Sequence, residues 1–273
     1  MRPFGHRHRA LACLFACALS VATGHASGDE PVPYGFSRKD SMQWFETVEP
    51  GQTVRVVNLF GDVYSRFGGY EHKVEILATG QRLEVELPEL EVRFDHGDDG
   101  LDITVGFAGK ADDATETRDR IDLVVFVPEG ASLEARTGDG LIDVKKLKGD
   151  VVASSLKGDL RINSVEGRIS AKTARGDITV TLATGTTTER QDLTTETGDI
   201  QVWLGEDADM SVSLATSGEI STDFSLQIEH RRFEEPSKHA VAVVGQGGSE
   251  LTLRSKQGRV RLLRLQKSFK PEK

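Results

Sequence analysis

Residues 140–184 read GLIDVKKLK-GDVVASSLK-GDLRINSVE-GRISAKTAR-GDITVTLAT, five nine-residue blocks that each open on a glycine: Gly140, Gly149, Gly158, Gly167 and Gly176. Two places after each glycine stands Ile142, Val151, Leu160, Ile169 or Ile178, and four places after it Val144, Ala153, Ile162, Ala171 or Val180. The seventh place adds Leu147, Leu156, Val165, Ala174 and Ala183. Alternate residues of a strand point to opposite faces, so the second and fourth places form one apolar face. The third and fifth places, largely Asp, Arg, Ser, Thr, Lys and Asn, form the other. Nine residues make a strand plus a corner, and two blocks complete a coil of eighteen. Residues eighteen apart then lie one strand spacing apart, about 4.8 Å. A fixed short period of this kind marks stacked units, none of which buries its apolar face alone.

Stacking predicts inner ladders Ile142–Leu160–Ile178, Val144–Ile162–Val180 and Val151–Ile169. Outside it sets Asp143 on Arg161, Lys148 on Glu166 and Asp150 on Arg168, against two like-charge pairs, Lys157 on Arg175 and Asp159 on Asp177. Exposed pairs contribute only about 0–1 kcal/mol each, so the apolar ladders decide the fold. Glycine at the corner suits a turn of positive φ, and the aspartate that often follows accepts hydrogen bonds from turn amides.

Beyond residue 185 the signature loosens and returns as Gly198-Asp199-Ile200, Gly218-Glu219-Ile220 and Gly258-Arg259-Val260. The gaps of 20 and 40 residues suggest coils of about twenty, with one copy replaced by a polar loop at Glu229–Lys238. Upstream, strands are expected at Thr53–Asn58, Lys73–Ala78, Arg82–Leu87, Leu90–Phe94 and Leu101–Phe107. Ile121–Val127, nearly all apolar, reads as a strand buried on both faces. Residues 108–120 are charged and read as irregular. Only 6% of residues are aromatic and no 3.6-residue apolar period lasts three turns, which favours short strands over helices. The expected fold is all-β, a parallel β-solenoid (single-stranded β-helix) with coils of about 18–20 residues whose first coils are the N-terminal strands. Its divisions are a signal peptide at 1–26, a polar leader at 27–42, N-terminal coils at 43–130, the Gly-Asp repeat at 131–265 and a basic tail at 266–273. Corner glycines are Gly61, Gly140, Gly149, Gly158, Gly167, Gly176, Gly198, Gly218 and Gly258.

The signal peptide is read from Arg2, Arg7 and Arg9, an apolar run Leu11–Ala22, and Gly24-His25-Ala26 before Ser27. That run is too short to span a bilayer, and no later segment is long and apolar enough. Cys13 and Cys17 both lie within it, so the processed chain carries no thiol. Leu14-Phe15-Ala16-Cys17 resembles a lipoprotein cleavage box, but Phe15 is bulky for that role and the apolar run continues past Cys17, which favours soluble export over lipidation. Export to the periplasm or cell surface, with outer-membrane association open, is the expected localisation. Processing takes the formal net charge from −9 to −12, which argues against nucleic acid as a partner because phosphate affinity comes mostly from Lys and Arg.

With these motifs in place the chain resembles the putative-adhesin family of bacterial envelope proteins. Gly51–Val63 is similar to that family's first strand and Gly-Asp turn, Val127–Leu133 to its approach to the repeats, and Thr137–Val180 to its Gly-Asp-Ile ladder. Ser217–Phe224 resembles a late coil, and Gly245–Gly248 with Leu251–Ser255 a closing glycine-rich turn and strand. The resemblance implies a β-solenoid of unknown molecular function and supplies no catalytic residue. Residues 108–120 and 229–238 depart from the family's simplest pattern.

Four candidate sites follow from the residues. Arg175-Gly176-Asp177 matches an integrin-binding tripeptide, but it falls where Gly-Asp recurs regardless. A nine-residue Gly/Asp period resembles calcium-binding β-rolls, yet each block has one glycine and cations stand beside the corners at Lys148, Lys157 and Arg175. No metal or cofactor is therefore expected. The third candidate, a polysaccharide lyase or hydrolase, needs clustered carboxylates, and the histidines His72, His96, His230 and His239 are scattered. The fourth is a basic stripe, Lys145, Lys148, Lys157, Arg161, Arg168, Lys172 and Arg175, facing an anionic envelope glycan or protein partner. The functional expectation is a non-enzymatic, adhesin-like scaffold or interaction surface at the cell envelope. The alternative is a carbohydrate-active β-helix enzyme.

Overall fold

The computed structural model describes residues 38–82, 90–107, 120–182, 190–231 and 233–265, all within one compact unit, Ser37–Lys273. The expected signal peptide with both cysteines, leader residues 27–37, the strand after Arg82, residues 108–119, Ala183 and the basic tail lie outside the described residues. Among the described residues there are twenty-one strands and no helix. In chain order the first seven are β1 (Arg38–Thr47), β2 (Thr53–Phe60), β3 (Val63–Phe67), β4 (Lys73–Arg82), β5 (Leu90–Gly97), β6 (Gly100–Phe107) and β7 (Arg120–Val127). The repeat region supplies β8 (Ser132–Asp139), β9 (Ile142–Lys145), β10 (Val151–Lys157), β11 (Leu160–Asn163), β12 (Ile169–Arg175) and β13 (Ile178–Leu182). Then come β14 (Gln191–Thr197), β15 (Ile200–Leu204), β16 (Met210–Thr216) and β17 (Ile220–Thr222). The last four are β18 (Gln227–His230), β19 (Lys238–Val244), β20 (Ser249–Gln257) and β21 (Val260–Arg264).

Two sheets hold them. One has ten strands in the order β1-β4-β7-β3-β9-β11-β13-β15-β21-β17, the other eleven in the order β18-β19-β16-β20-β14-β12-β10-β8-β2-β6-β5. From β8 to β13 successive strands alternate between the sheets, and each pairs in parallel with the strand eighteen residues on. Leu133 meets Val151 and Val151 meets Ile169 in one sheet, while Ile142 meets Leu160 and Leu160 meets Ile178 in the other. The offset is twenty-two at the next step, where Ile178 meets Ile200. Inward residues of both sheets form one apolar core that includes Ile142, Leu160, Ile169, Ile178, Leu193, Ile200, Leu253 and Val260, each no more than 1% exposed.

The stack does not follow chain order at either end. Gly198 and Gly218, twenty residues apart, were expected to open adjacent coils. Instead β20–β21 lie between β14–β15 and β16–β17, so Val260 pairs with both Ile200 and Ile220. The N-terminal end mirrors this, with β2–β3 sitting between β6–β7 and β8–β9. Nor is the pairing uniformly parallel. β1 with β4, β4 with β7, β5 with β6, β16 with β19 and β18 with β19 are antiparallel. A short reversal suffices for an antiparallel pair but not for a parallel one, and β5–β6 and β18–β19 are joined by such reversals, whereas β1–β4, β4–β7 and β16–β19 pair across intervening strands. The expected first coils are thus only β2–β3 and β6–β7, with antiparallel strands added around them. Between the edge strands β1 and β5, Trp44 meets Phe94 at 6.0 Å between ring centroids and the ring Nε2 of His96 lies 2.9 Å from a Glu46 carboxylate oxygen.

Local expectations differ in four places. β1 begins at Arg38, inside the segment read as a polar leader. β7 alternates buried and half-buried residues, because Asp122, Val124 and Phe126 face outward, so it is buried on one face. The expected loop at 229–238 is the turn of the β18–β19 hairpin, strand-paired at both ends. Leu156, one of the apolar seventh places, is 67% exposed, because Ser155 takes the inward position before the corner.

A candidate interaction surface

The corners set the outer rows. Gly61, Gly140, Gly158, Gly176, Gly198, Gly258 and Gly218 form one column, each close against the backbone of the next rung. Gly149 and Gly167 stack at a second corner, Gly149 against Ala131. Gly158 has φ +150°, and a Cβ there would sit 1.9 Å from the Gly140 carbonyl oxygen. Any side chain at that point would force the rungs apart.

Inside the main corner runs a hydroxyl ladder that sequence reasoning missed. Thr137 Oγ1 donates to the Gly61 carbonyl at 3.2 Å, Ser155 Oγ to Gly140 at 3.4 Å, Thr173 Oγ1 to Gly158 at 3.1 Å and Thr195 Oγ1 to Gly176 at 3.1 Å. Ser255 Oγ continues it to Gly198 at 2.8 Å and Thr216 Oγ1 to Gly258 at 2.6 Å. These Ser and Thr residues are at most 5% exposed, so each buried hydroxyl finds its partner in a corner glycine carbonyl. The readable signal was a Ser or Thr three residues before the corner glycine, as at Thr137, Ser155, Thr173, Thr195 and Ser255.

Outside the corner, aspartates accept from backbone amides of the next rung. Asp159 Oδ1 takes the Asp177 amide at 2.9 Å, Asp177 Oδ1 the Asp199 amide at 2.7 Å, and Asp199 Oδ1 the Arg259 amide at 2.8 Å. At the second corner Asp150 Oδ1 takes the Arg168 amide at 2.9 Å. Burial alone would raise the Asp199 carboxyl. The Arg259 amide and guanidinium and the Arg261 charge outweigh it and hold Asp199 below its usual range. Arg175-Gly176-Asp177 is part of this column, with the Asp177 carboxylate engaged by the Asp199 amide. Among the described residues there is no grouping of three or more His, Cys, Asp or Glu side chains able to hold a metal.

The seven basic candidates do not share one face. Lys145 on β9 and Arg161 on β11 belong to the ten-stranded sheet. Lys157 on β10 with Lys172 and Arg175 on β12 belong to the eleven-stranded sheet, and Lys148 and Arg168 lie at or beside the second corner. Four are tied to carboxylates: Lys145 to Asp143 at 3.2 Å, Arg161 to Asp159 at 3.7 Å, Arg168 to Asp150 at 3.9 Å, and Lys148 to Glu129. The Glu129 hydrogen bond raises the Lys148 ammonium above its ordinary value. Lys157 and Arg175 are neighbours in register, and Lys172 stands three residues before Arg175 on the same strand.

A denser polar cluster, also missed, occupies the N-terminal part of the ten-stranded sheet. Asp62 accepts from the Leu141 amide at 2.8 Å, from Arg120 at 2.7 Å and from the Tyr64 hydroxyl at 3.1 Å. Asp122 accepts from the Asp62 amide at 2.9 Å and from Gln81 at 2.9 Å. Asp143 pairs with Arg66 at 3.1 Å. Its expected partner Arg161 is in register but turns to Asp159. Asp143 is only 6% exposed rather than outward in solvent, because Arg66 and Lys145 lie across it. Burial, then the charges of Asp62, Asp122 and Asp143, push the Tyr64 phenol up. The members come from positions 62, 122 and 143, so no local motif announces them.

Residues 128–263 match the model of a domain family described as Toastrack DUF4097. No curated protein matches the chain. Among solved structures, a "putative cell adhesion protein" from Clostridium sporogenes ATCC 15579 is 14% identical. That match covers 83% of this chain and 100% of the other, with a TM-score of 0.42. A "putative adhesin" from Bacteroides fragilis NCTC 9343 is 10% identical, covering 83% of this chain and 97% of the other, with a TM-score of 0.31.

Proposed function

From the premise that this chain carries a Toastrack DUF4097 domain, we propose that it is a rigid interaction surface at the bacterial cell envelope, acting without catalysis. One observation carries the reading: from β8 to β13 the strands repeat at a constant eighteen-residue offset, so outward side chains stand in straight rows at strand spacing. Such rows suit a long, repetitive partner, an envelope polysaccharide or another protein, better than a compact substrate. In this reading residues 131–265 are the display body, a solenoid of stacked coils, and residues 43–130 are its N-terminal end. The segment 1–26 would direct export to the periplasm or cell surface.

The rival reading, a carbohydrate-active enzyme, finds its best footing in the Asp62, Asp122, Asp143 and Tyr64 cluster. Those carboxylates are held by Arg66, Arg120, Gln81 and backbone amides, an arrangement that clamps neighbouring rungs together. The two readings separate in one experiment on the full chain: binding to purified envelope and to arrayed glycans, beside a reducing-end release assay on the same glycans. Binding without release is expected, and turnover of any glycan would overturn the proposal.

A further inference from the structure

Among the described side chains, four cations have no carboxylate, hydrogen-bond or ring partner: Lys146, Lys157, Lys172 and Arg175. Three of the four lie together on β10 and β12. Lys157 and Arg175 face each other across neighbouring strands, about 4.8 Å apart at the backbone, an arrangement of like charges that destabilises a sheet. Asp139 stands in register on the other side of Lys157 but makes no ion pair with it. Lys172 is set along the strand from Arg175 by roughly 10 Å. Lys172 stands on the outer face of β12 with Ser154 and Thr194 in register, and Leu156, 67% exposed, and the half-buried Ala174 follow on that face. Lys157 and Arg175, the last residues of their strands, have the alternation parity of the inward Ser155 and Thr173 and are exposed where the strands end at the corner.

We infer that the outer face of β12 at Lys172, together with the corner ends of β10 and β12 at Lys157 and Arg175, binds a linear acidic polysaccharide. The inference rests on the interaction-surface reading and names its ligand class. Unpaired like charges held on a rigid sheet are relieved by an incoming anion. The cations are spread along and across the strands, so the anion must be extended, with charges repeated along its length as on a uronate polymer. An open apolar spot at Leu156 and Ala174 suits the C–H face of a pyranose ring, and the flanking hydroxyls suit its polar rim. A lipid headgroup layer would call for a wider apolar patch than one leucine and one alanine.

The test uses the full chain with alginate, a uronate polymer, against neutral dextran and phosphatidylglycerol vesicles at low and physiological salt. Alginate binding that weakens with salt is expected, with none to dextran. Lys157→Gln with Arg175→Gln should weaken it at least tenfold and Lys172→Gln severalfold. Arg231→Gln, on the β18–β19 hairpin turn, should leave it unchanged. All variants change exposed side chains, and their thermal melting checks that the fold persists. No alginate binding, equal loss with Arg231→Gln, or binding to vesicles alone would overturn the inference. Retained binding to purified envelope in that event would leave the broader reading standing, and loss of both would remove both.

Discussion

Thr173 and Gly158 are joined across two rungs: the threonine hydroxyl donates a 3.1 Å hydrogen bond to the glycine carbonyl, and Thr173 is fully buried. The same contact recurs along the corner, so the stack is held by a polar seam as well as by its aliphatic core. Thr173→Val keeps the shape and removes the donor. It should cost about 0.5–1.5 kcal/mol in denaturant unfolding, because the hydrogen bond to the Gly158 carbonyl is lost, while Thr173→Ser should cost less. Equal stability of the valine variant and the parent would show that the seam contributes nothing.

Gly158→Ala should be far worse. A Cβ there meets the Gly140 carbonyl oxygen at 1.9 Å, and both partners are backbone that cannot turn aside. A loss above about 3 kcal/mol, or failure to fold, is expected. Gly51→Ala is the comparison: φ is +87° but nothing lies within 4 Å of the added carbon, so only the backbone preference of about 1 kcal/mol is lost. Matching melting temperatures for the two variants would contradict the close approach at the corner.

Facing is tested by a pair of substitutions. Ile169 is 1% exposed within the core, whereas Thr179 alternates outward on β13. Ile169→Asp should cost several kcal/mol by placing an unpaired charge in a dry interior, and Thr179→Asp well under 1 kcal/mol. Thermal or chemical unfolding of both variants reads the difference directly.

Acid should loosen the late rungs through Asp199. Its folded carboxyl is held below the unfolded value, so its contribution is present above about pH 4 and is lost as pH falls through the folded value. Asp199→Asn keeps one acceptor oxygen and cannot titrate. Its stability should therefore change less between pH 5 and pH 2 than the parent's, measured by urea unfolding across that range. A parallel pH dependence in both proteins would remove Asp199 from the account.

The repeat was legible because glycine spacing and apolar alternation are both local. Ile142, Leu160 and Ile178 could be laid over one another from the residues alone, and they pair in that register. The order of the late rungs was not legible. Gly198, Gly218 and Gly258 carry the same signature, and nothing near any of them says that Gly258 stands between the other two. That choice is made elsewhere. The Gly245–Gly248 turn crosses Asp209, where the Gln246 amide meets Asp209 Oδ1 at 2.8 Å, and carries β20 to the far side of β16. The basic stripe failed as a single surface for a related reason. A period of nine sends alternate blocks to different sheets, so charges close in sequence part company in space, and only Lys157, Lys172 and Arg175 remain on neighbouring strands without an ion pair.

The placement of β20–β21 between β14–β15 and β16–β17 bears on how the molecule is made. A chain that emerges amino end first presents β16–β17 before the strands that belong beneath them. Until residues 249–264 arrive, that last portion either waits unpaired or docks one step too low on β14–β15 and must later be displaced. Closing a contact sixty residues apart in sequence, as between Ile200 and Val260, is slow compared with the eighteen-residue steps before it. The carboxyl-terminal strands therefore act as a keystone, and a chain clipped before residue 249 would keep most of its courses yet lack the one that locks the far end.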